Sequence, residues 1–160
     1  MSYCEFYGLK ELPFSNVPDL RFFFNEGSSE DTLGKVVRAI DGDMSLIAFI
    51  GECGLGKTMI SWRMMQILDS NDKYDVSLLV FLHNTAKVGW FISKLAAQLE
   101  VPENEDKDLL FNAVLQKMMK LTKAGRKVVI LIDEATMLNK EICEEIRGML
   151  NVMCDGKRVM

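Results

Sequence analysis

The sequence has little of what a metal site or a disulfide scaffold requires. Histidine occurs once, at His83, and the four cysteines Cys4, Cys53, Cys143 and Cys154 are scattered without a CxxC pair. That set offers no zinc-ligand spacing, and dispersed thiols fit a reduced, cytosolic setting. Long apolar runs are missing too. Residues 46–50, 76–82 and 128–132 are largely apolar, yet far shorter than the roughly 20 residues a membrane-spanning helix needs. The opening stretch MSYCEFYGLKELPF carries acid early and does not read as a secretory leader. Positive charge is not in excess. A net charge of -4 and a pI near 5.1 give no general attraction to nucleic acid or anionic membranes, and leave room only for a local basic patch.

What is present suits one packed domain. The chain has 160 residues, 49% of them hydrophobic and 26% charged, enough for a sizeable core under a soluble surface. Residues 1–30 read as irregular, punctuated by Pro13, Pro18 and Gly27. They hold Phe6, Tyr7, Phe14, Phe22, Phe23 and Phe24, so the segment is expected to pack on the body of the domain. From Glu30 to Ile40, apolar residues recur at helical spacing and Gly42 follows as a stop. Three apolar runs, 44–50, 76–82 and 128–132, are predicted to be buried parallel strands because their hydrophobicity is continuous, not alternating.

Helical stripes lie between and after these runs. The first is Ile60, Met64, Ile67 and Leu68. The second is Val88, Phe91, Leu95 and Leu99, with Thr85 as expected cap. The third runs from Leu110 to Leu121, and the fourth from Ile142 to Met153, with Asn139 as expected cap. The stretch from Pro102 to Asp108 reads as a solvated loop. The order strand, helix, strand, two helices, strand, helix predicts an α/β layout with right-handed crossovers.

The strongest signal is Gly51-Glu52-Cys53-Gly54-Leu55-Gly56-Lys57-Thr58, a full match to GxxxxGK[ST] placed between a predicted strand and a predicted helix. Glycines let backbone N–H groups close around phosphate oxygens, partly at positive φ. The helix opening near Lys57 and Met59 would direct its positive end at the anion. Lys57 would reach the β- and γ-phosphates, and Thr58 would ligate Mg²⁺. A second motif ends the third strand in Asp133-Glu134: the first acid would hold Mg²⁺ and the second would polarise the attacking water. These residues predict a site for Mg-ATP, with another nucleoside triphosphate as the alternative, and Lys57 and Glu134 as the catalytic pair. The bland reading of each motif is a glycine turn and two acids at a loop start. The two occurring together, each at a strand end, argue against it.

Weaker candidates have bland readings that compete well. Cys53 could make the loop sensitive to oxidation, but reads more simply as a small filler. His83 and Asn84 follow the second strand, at the edge where ligands collect in open α/β sheets. Lys117, Lys120, Lys123, Arg126 and Lys127 could contact DNA, though cations also complement a helix C-terminus. Arg147 could meet a neighbouring subunit or form a surface ion pair.

Residues 7–14 (YGLKELPF), residues 18–22, the glycine loop, Val129 to Ala135 and the helix from Glu144 to Asn151 together resemble AAA-type P-loop ATPases of the general secretion pathway protein A family. The resemblance spans nearly the whole chain. It implies a three-layer α/β P-loop NTPase fold with a mainly parallel sheet. Residues 1–30 would flank the nucleotide, with Phe6, Leu9, Pro13 and Phe14 near adenine, and 31–160 would form the P-loop core. It further implies a cytoplasmic ATPase, homo-oligomeric at full length, that drives assembly of secretion machinery with an envelope partner. Relatives that regulate transposition make DNA the alternative partner, and a nucleotide-binding piece with negligible turnover is a third reading.

The chain departs from the family pattern at Ser28–Thr32, where many relatives carry a histidine, and at Thr136, where glutamine is usual. The resemblance also implies a further strand between the glycine-loop strand and the acidic strand, of which Lys157–Met160 would be the start. On that expectation the chain is the N-terminal part of one AAA-type domain, truncated before its later strands, with any membrane association residing beyond Met160.

Overall fold

The computed structural model describes residues 2–13, 19–24 and 27–160. A short helix α1, Tyr3–Tyr7, opens the chain, followed by α2, Ser28–Asp41, and α3, Lys57–Asp69. Strand β1, Tyr74–Val80, leads to α4, Val88–Gln98, and α5, Lys107–Lys123. Strand β2, Lys127–Asp133, is followed by α6, Lys140–Leu150, and by the two-residue strands β3, Met153–Cys154, and β4, Lys157–Arg158.

β1 and β2 pair in parallel, in register from Tyr74 with Lys127 to Val80 with Asp133. Side chains alternate across this pair, so each strand feeds two cores. Val128, Ile130 and Ile132 join Leu79 and the buried residues of α4, α5 and α6, among them Phe91, Leu95, Val114, Met118, Ile142 and Met149. On the opposite face Tyr74, Val76, Val129 and Leu131 pack with Leu33 and Ile40 of α2 and Met64 and Leu68 of α3. Burying a side chain such as Leu68 or Phe91 contributes about 1.5–3 kcal/mol. Helices on both faces of a parallel pair give the three-layer α/β arrangement, and both-face burial explains why these strands read as unbroken apolar runs.

Local signals fixed several boundaries. Asp106 accepts from the N–H groups of Asp108 and Leu109 at 2.9 and 3.1 Å and starts α5, so the loop after Pro102 ends one residue before that helix. Asn139 caps α6 through the Ile142 N–H at 3.0 Å, as expected. Gly42 ends α2, as expected. Thr85, by contrast, does not cap α4: the residue at that position is Lys87, with no side-chain cap bond.

Three expectations are corrected. Residues 44–50 form no strand, because neither side of this segment finds a ladder partner among the described residues. An apolar strand-like sequence becomes a strand only when its N–H and C=O groups are paired. Met44, Leu46, Phe49 and Ile50 are consequently exposed, while Ile47 packs against the core that holds Val129 and Leu131. Nor does Lys157–Met160 begin a strand beside β2: Lys157–Arg158 pairs antiparallel with β3, Val159 is buried, and the Arg158 guanidinium hydrogen-bonds the Ser45 hydroxyl.

The third correction concerns the N-terminal aromatics. Phe6, Tyr7, Phe22 and Phe24 are exposed, and Phe6 and Tyr7 meet edge-on at 4.8 Å. Phe23 does pack on the core. The capping box of Ser2 and Glu5 folds α1 locally, and a five-residue helix has too little surface to bury two rings. Phe14 and Pro18 lie outside the described residues.

Candidate functional site

Residues 51–56 form the turn between segment 44–50 and α3. Gly54 and Gly56 have φ of +84° and +75°, a region glycine enters without the Cβ penalty. Gly51 matters for space: a Cβ there would lie 3.3 Å from Leu55 Cδ1 and 3.9 Å from Lys57 Cδ. The N-cap of α3 is Gly56, which has no side chain to cap it, so the N–H groups of Lys57, Thr58 and Met59 open the helix without a side-chain cap. In the 13 residues of α3 the peptide dipoles add, which makes this end a seat for an anion.

Lys57 reaches back over its own loop. Its Nζ donates to the carbonyls of Gly51 at 3.0 Å and Glu52 at 2.8 Å. Those bonds hold the ammonium group inside the turn, where an anion could replace carbonyls as its partner. Glu52, Cys53 and Leu55 are exposed on the loop, and Thr58 and Met59 are half-buried in the first turn of α3. Cys53 is a free thiol.

Asp133 ends β2, half-buried, and its Oδ1 accepts from the Glu134 N–H at 3.0 Å. Glu134 is exposed and sits at φ 53°, ψ 43°, the left-handed region that costs a residue with a Cβ about 1–2 kcal/mol. This conformation turns the chain sharply at the end of the ladder, so that Asp133 and Glu134 present their carboxylates from a turn and not from a continuing strand. Strain of this kind collects at functional sites.

The structure joins the two strand ends. Phe81 N–H donates to the Asp133 carbonyl at 3.4 Å, extending the ladder by one residue. Beyond it, exposed His83 and Asn84 lie on the turn before α4. The Asn139 side chain, legible in the sequence only as a cap, also donates from Nδ2 to the Ala86 carbonyl at 2.7 Å and to the Asn84 carbonyl at 3.5 Å. No local pattern could announce a bond to a residue 53 positions upstream.

The basic cluster is partly spent on the fold. Lys127 Nζ donates to the carbonyls of Ile40 and Asp41 at 2.9 and 2.8 Å and pairs with Asp43 at 2.6 Å, closing the C-terminus of α2. Arg126 donates to the Tyr74 carbonyl at 3.1 Å and pairs with Asp75 at 2.7 Å. These two cations hold helix and strand ends in place, which removes them from an open patch for DNA. Lys120 and Lys123 lie in the last turn of α5, where cations complement the helix dipole. Arg147 is exposed on α6.

Comparisons with known proteins agree with the α/β layers. Residues 40–160 match the family model described as AAA domain. The chain is 24% identical, over 99% of its length, to general secretion pathway protein A of Aeromonas hydrophila, and covers 28% of that relative. No solved structure matches. A glycine turn opening an uncapped helix, an acid at the end of a parallel strand, helices on both faces and a family match over most of the chain converge: this protein belongs to the AAA domain family of P-loop α/β proteins.

Proposed function

We propose that the chain is an ATPase module that holds Mg-ATP at residues 51–59 and hydrolyses it with Glu134 orienting the attacking water. The observation that carries this reading is the turn of Gly54 and Gly56 at positive φ, opening directly onto uncapped α3 with Lys57 as its first residue. Backbone N–H groups from Gly54 to Met59 would bind the phosphate chain. Lys57 would exchange the carbonyls of Gly51 and Glu52 for phosphate oxygens. Thr58 and Asp133 would supply hard oxygen donors of the kind that suit Mg²⁺. The ion, when bound, offsets phosphate charge and makes two adjacent carboxylates tolerable. Glu134, exposed at its turn, would accept a proton from water.

The relative's name supports a role in secretion, and we extend the proposal to a cytoplasmic ATPase, homo-oligomeric at full length, that works with an envelope partner. Residues 1–160 would then be the N-terminal part of its single AAA-type domain. The chain spans 28% of that relative, so activity and partners of the whole are part of the proposal.

The test is a thermal melt with and without Mg-ATP, run beside Lys57→Ala and followed by turnover of Glu134→Gln. At 100 times the dissociation constant, binding adds about 2.7 kcal/mol of stability. The parent should gain this and Lys57→Ala should not. Glu134→Gln should keep the shift and lose turnover by about 10²-fold or more. No shift in the parent overturns the binding reading. A shift with equal turnover in parent and Glu134→Gln leaves a nucleotide-binding module.

A further inference from the structure

We propose that Asn139 is a positioning residue that clamps the loop after β1, residues 82–87, to the loop after β2, residues 134–139, so that the two strand ends are held as one unit. This deepens the ATPase reading and rests on it for its effect on turnover. The clamp itself stands on geometry.

The half-buried Asn139 amide is used at both ends. Oδ1 accepts from the Ile142 N–H at 3.0 Å and starts α6. Nδ2 donates to the Ala86 carbonyl at 2.7 Å and, more weakly, to the Asn84 carbonyl at 3.5 Å. Its orientation follows from its neighbours. The oxygen faces an N–H and the nitrogen faces two carbonyls, so a flipped amide would set oxygen against oxygen and leave the helix start uncapped.

Three apolar side chains work in the same direction. Leu138, next to Asn139, and Ala86 and Val88 across the gap all pack on the core beneath α4 and α6. The clamp therefore sits on a packed base. It connects the turn carrying Glu134 with the turn carrying His83 and Asn84, and nothing else in the 82–87 loop donates to those two carbonyls among the described residues. A catalytic carboxylate misplaced by 1 Å can lose about 10²-fold in rate, so fixing these turns relative to each other is worth a dedicated side chain.

The amide's two ends can be separated. Asn139→Asp keeps an oxygen for the Ile142 N–H but presents a second oxygen, not a donor, to the Ala86 and Asn84 carbonyls. Asn139→Ala removes both. Hydrogen exchange reads the difference at two places: the amides of Trp90 and Phe91, bonded to the Lys87 carbonyl just beyond the clamp, and the amide of Ile142. In Asn139→Asp, exchange at Trp90 and Phe91 should accelerate by about tenfold with Ile142 unchanged. In Asn139→Ala all three should accelerate.

Turnover of Asn139→Asp should fall by about tenfold or more, with Mg-ATP affinity held within about threefold, the signature of an interaction used in the transition state. Unchanged exchange at Trp90 and Phe91 in both variants overturns the clamp. Accelerated exchange with normal turnover leaves the clamp and overturns its positioning role. If the parent binds Mg-ATP but does not turn it over, the ATPase reading fails by itself, and exchange still decides the clamp.

Discussion

At the scale of single residues, Glu134 accepts a local backbone cost, as Asp43, Glu100 and Asp155 do elsewhere in the chain. Glu134 holds a left-handed backbone that glycine would hold without strain. Glu134→Gly should raise stability by about 0.5–1 kcal/mol in urea unfolding, after the entropic cost of glycine, while abolishing any turnover. A loss of stability would mean that the side chain, exposed as it is, anchors the turn. Ser77 is the opposite case, a fully buried residue in β1 whose hydroxyl has no hydrogen-bond partner among the described residues. Ser77→Ala should raise stability by about 1 kcal/mol, because an unpaired buried hydroxyl costs more than the small void its loss leaves. A drop of similar size would reveal a partner for that hydroxyl.

At the scale of elements, ends and edges decide. α2 stops where the Lys127 ammonium closes its last carbonyls, and beside it Asp41 accepts from the ammonium of Lys73 and from the Tyr74 hydroxyl. The hydrogen bond from Lys73, then that from Tyr74, holds the Asp41 carboxyl below its ordinary value of 3.8, and the bond from Lys127 does the same for Asp43. Since these folded values are depressed, their stabilisation is complete above the unfolded carboxylate value. It is lost as pH falls from there through the folded values. Melting temperature followed from pH 5 downward should therefore fall less steeply in Asp41→Asn than in the parent; parallel curves would separate Asp41 from acid unfolding.

The outer edge of β1 has its own device. The Gln98 side-chain amide donates to the Leu78 carbonyl at 2.6 Å and accepts from the Leu78 N–H at 2.7 Å, standing in for a neighbouring strand beside Trp62, Met65 and Val76. Open edges of this kind invite strand addition. Gln98→Ala should lose about 1 kcal/mol and show concentration-dependent self-association by light scattering. A monomeric variant would assign the amide to stability alone.

At the scale of the whole molecule, the parallel pair is protected on one side only. Lys127 N–H reaches the Lys73 carbonyl and Phe81 N–H reaches the Asp133 carbonyl, so alternate residues of β2 turn their amides toward β1. Val129 and Leu131 should therefore exchange slowly, and Ile130 and Ile132 faster, since that second edge has no ladder partner among the described residues. Residues 46–50 should exchange fastest of these. Uniform protection along β2 would show that its second edge is paired in solution. The exposed side chains of Leu46, Phe49 and Ile50 belong to the same picture: an apolar segment without neighbours cannot hide both faces.

The glycine turn and its helix start were legible because they are local. Glycines at positive φ, an uncapped helix start and a lysine at its first position are consecutive residues, and their spacing alone carries the geometry. Asp133 and Glu134 were legible as the end of an apolar run, and the helices followed from their stripes, except that Met153 lies exposed in β3 beyond the end of α6. What the sequence could not determine depends on partners far along the chain. The run at 44–50 has every residue a strand needs, but strand formation is a property of a pair, and only tertiary structure decides whether the pair exists. The aromatic N-terminus reads as packed from composition, yet burial requires a surface to receive it. Lys127 looked like part of a basic patch until α2 was placed beside it, and Asn139 looked like a cap until Ala86 arrived at its other end. Local chemistry is written in adjacent residues; pairing, burial and the sharing of one side chain between two loops are settled only when the chain has folded.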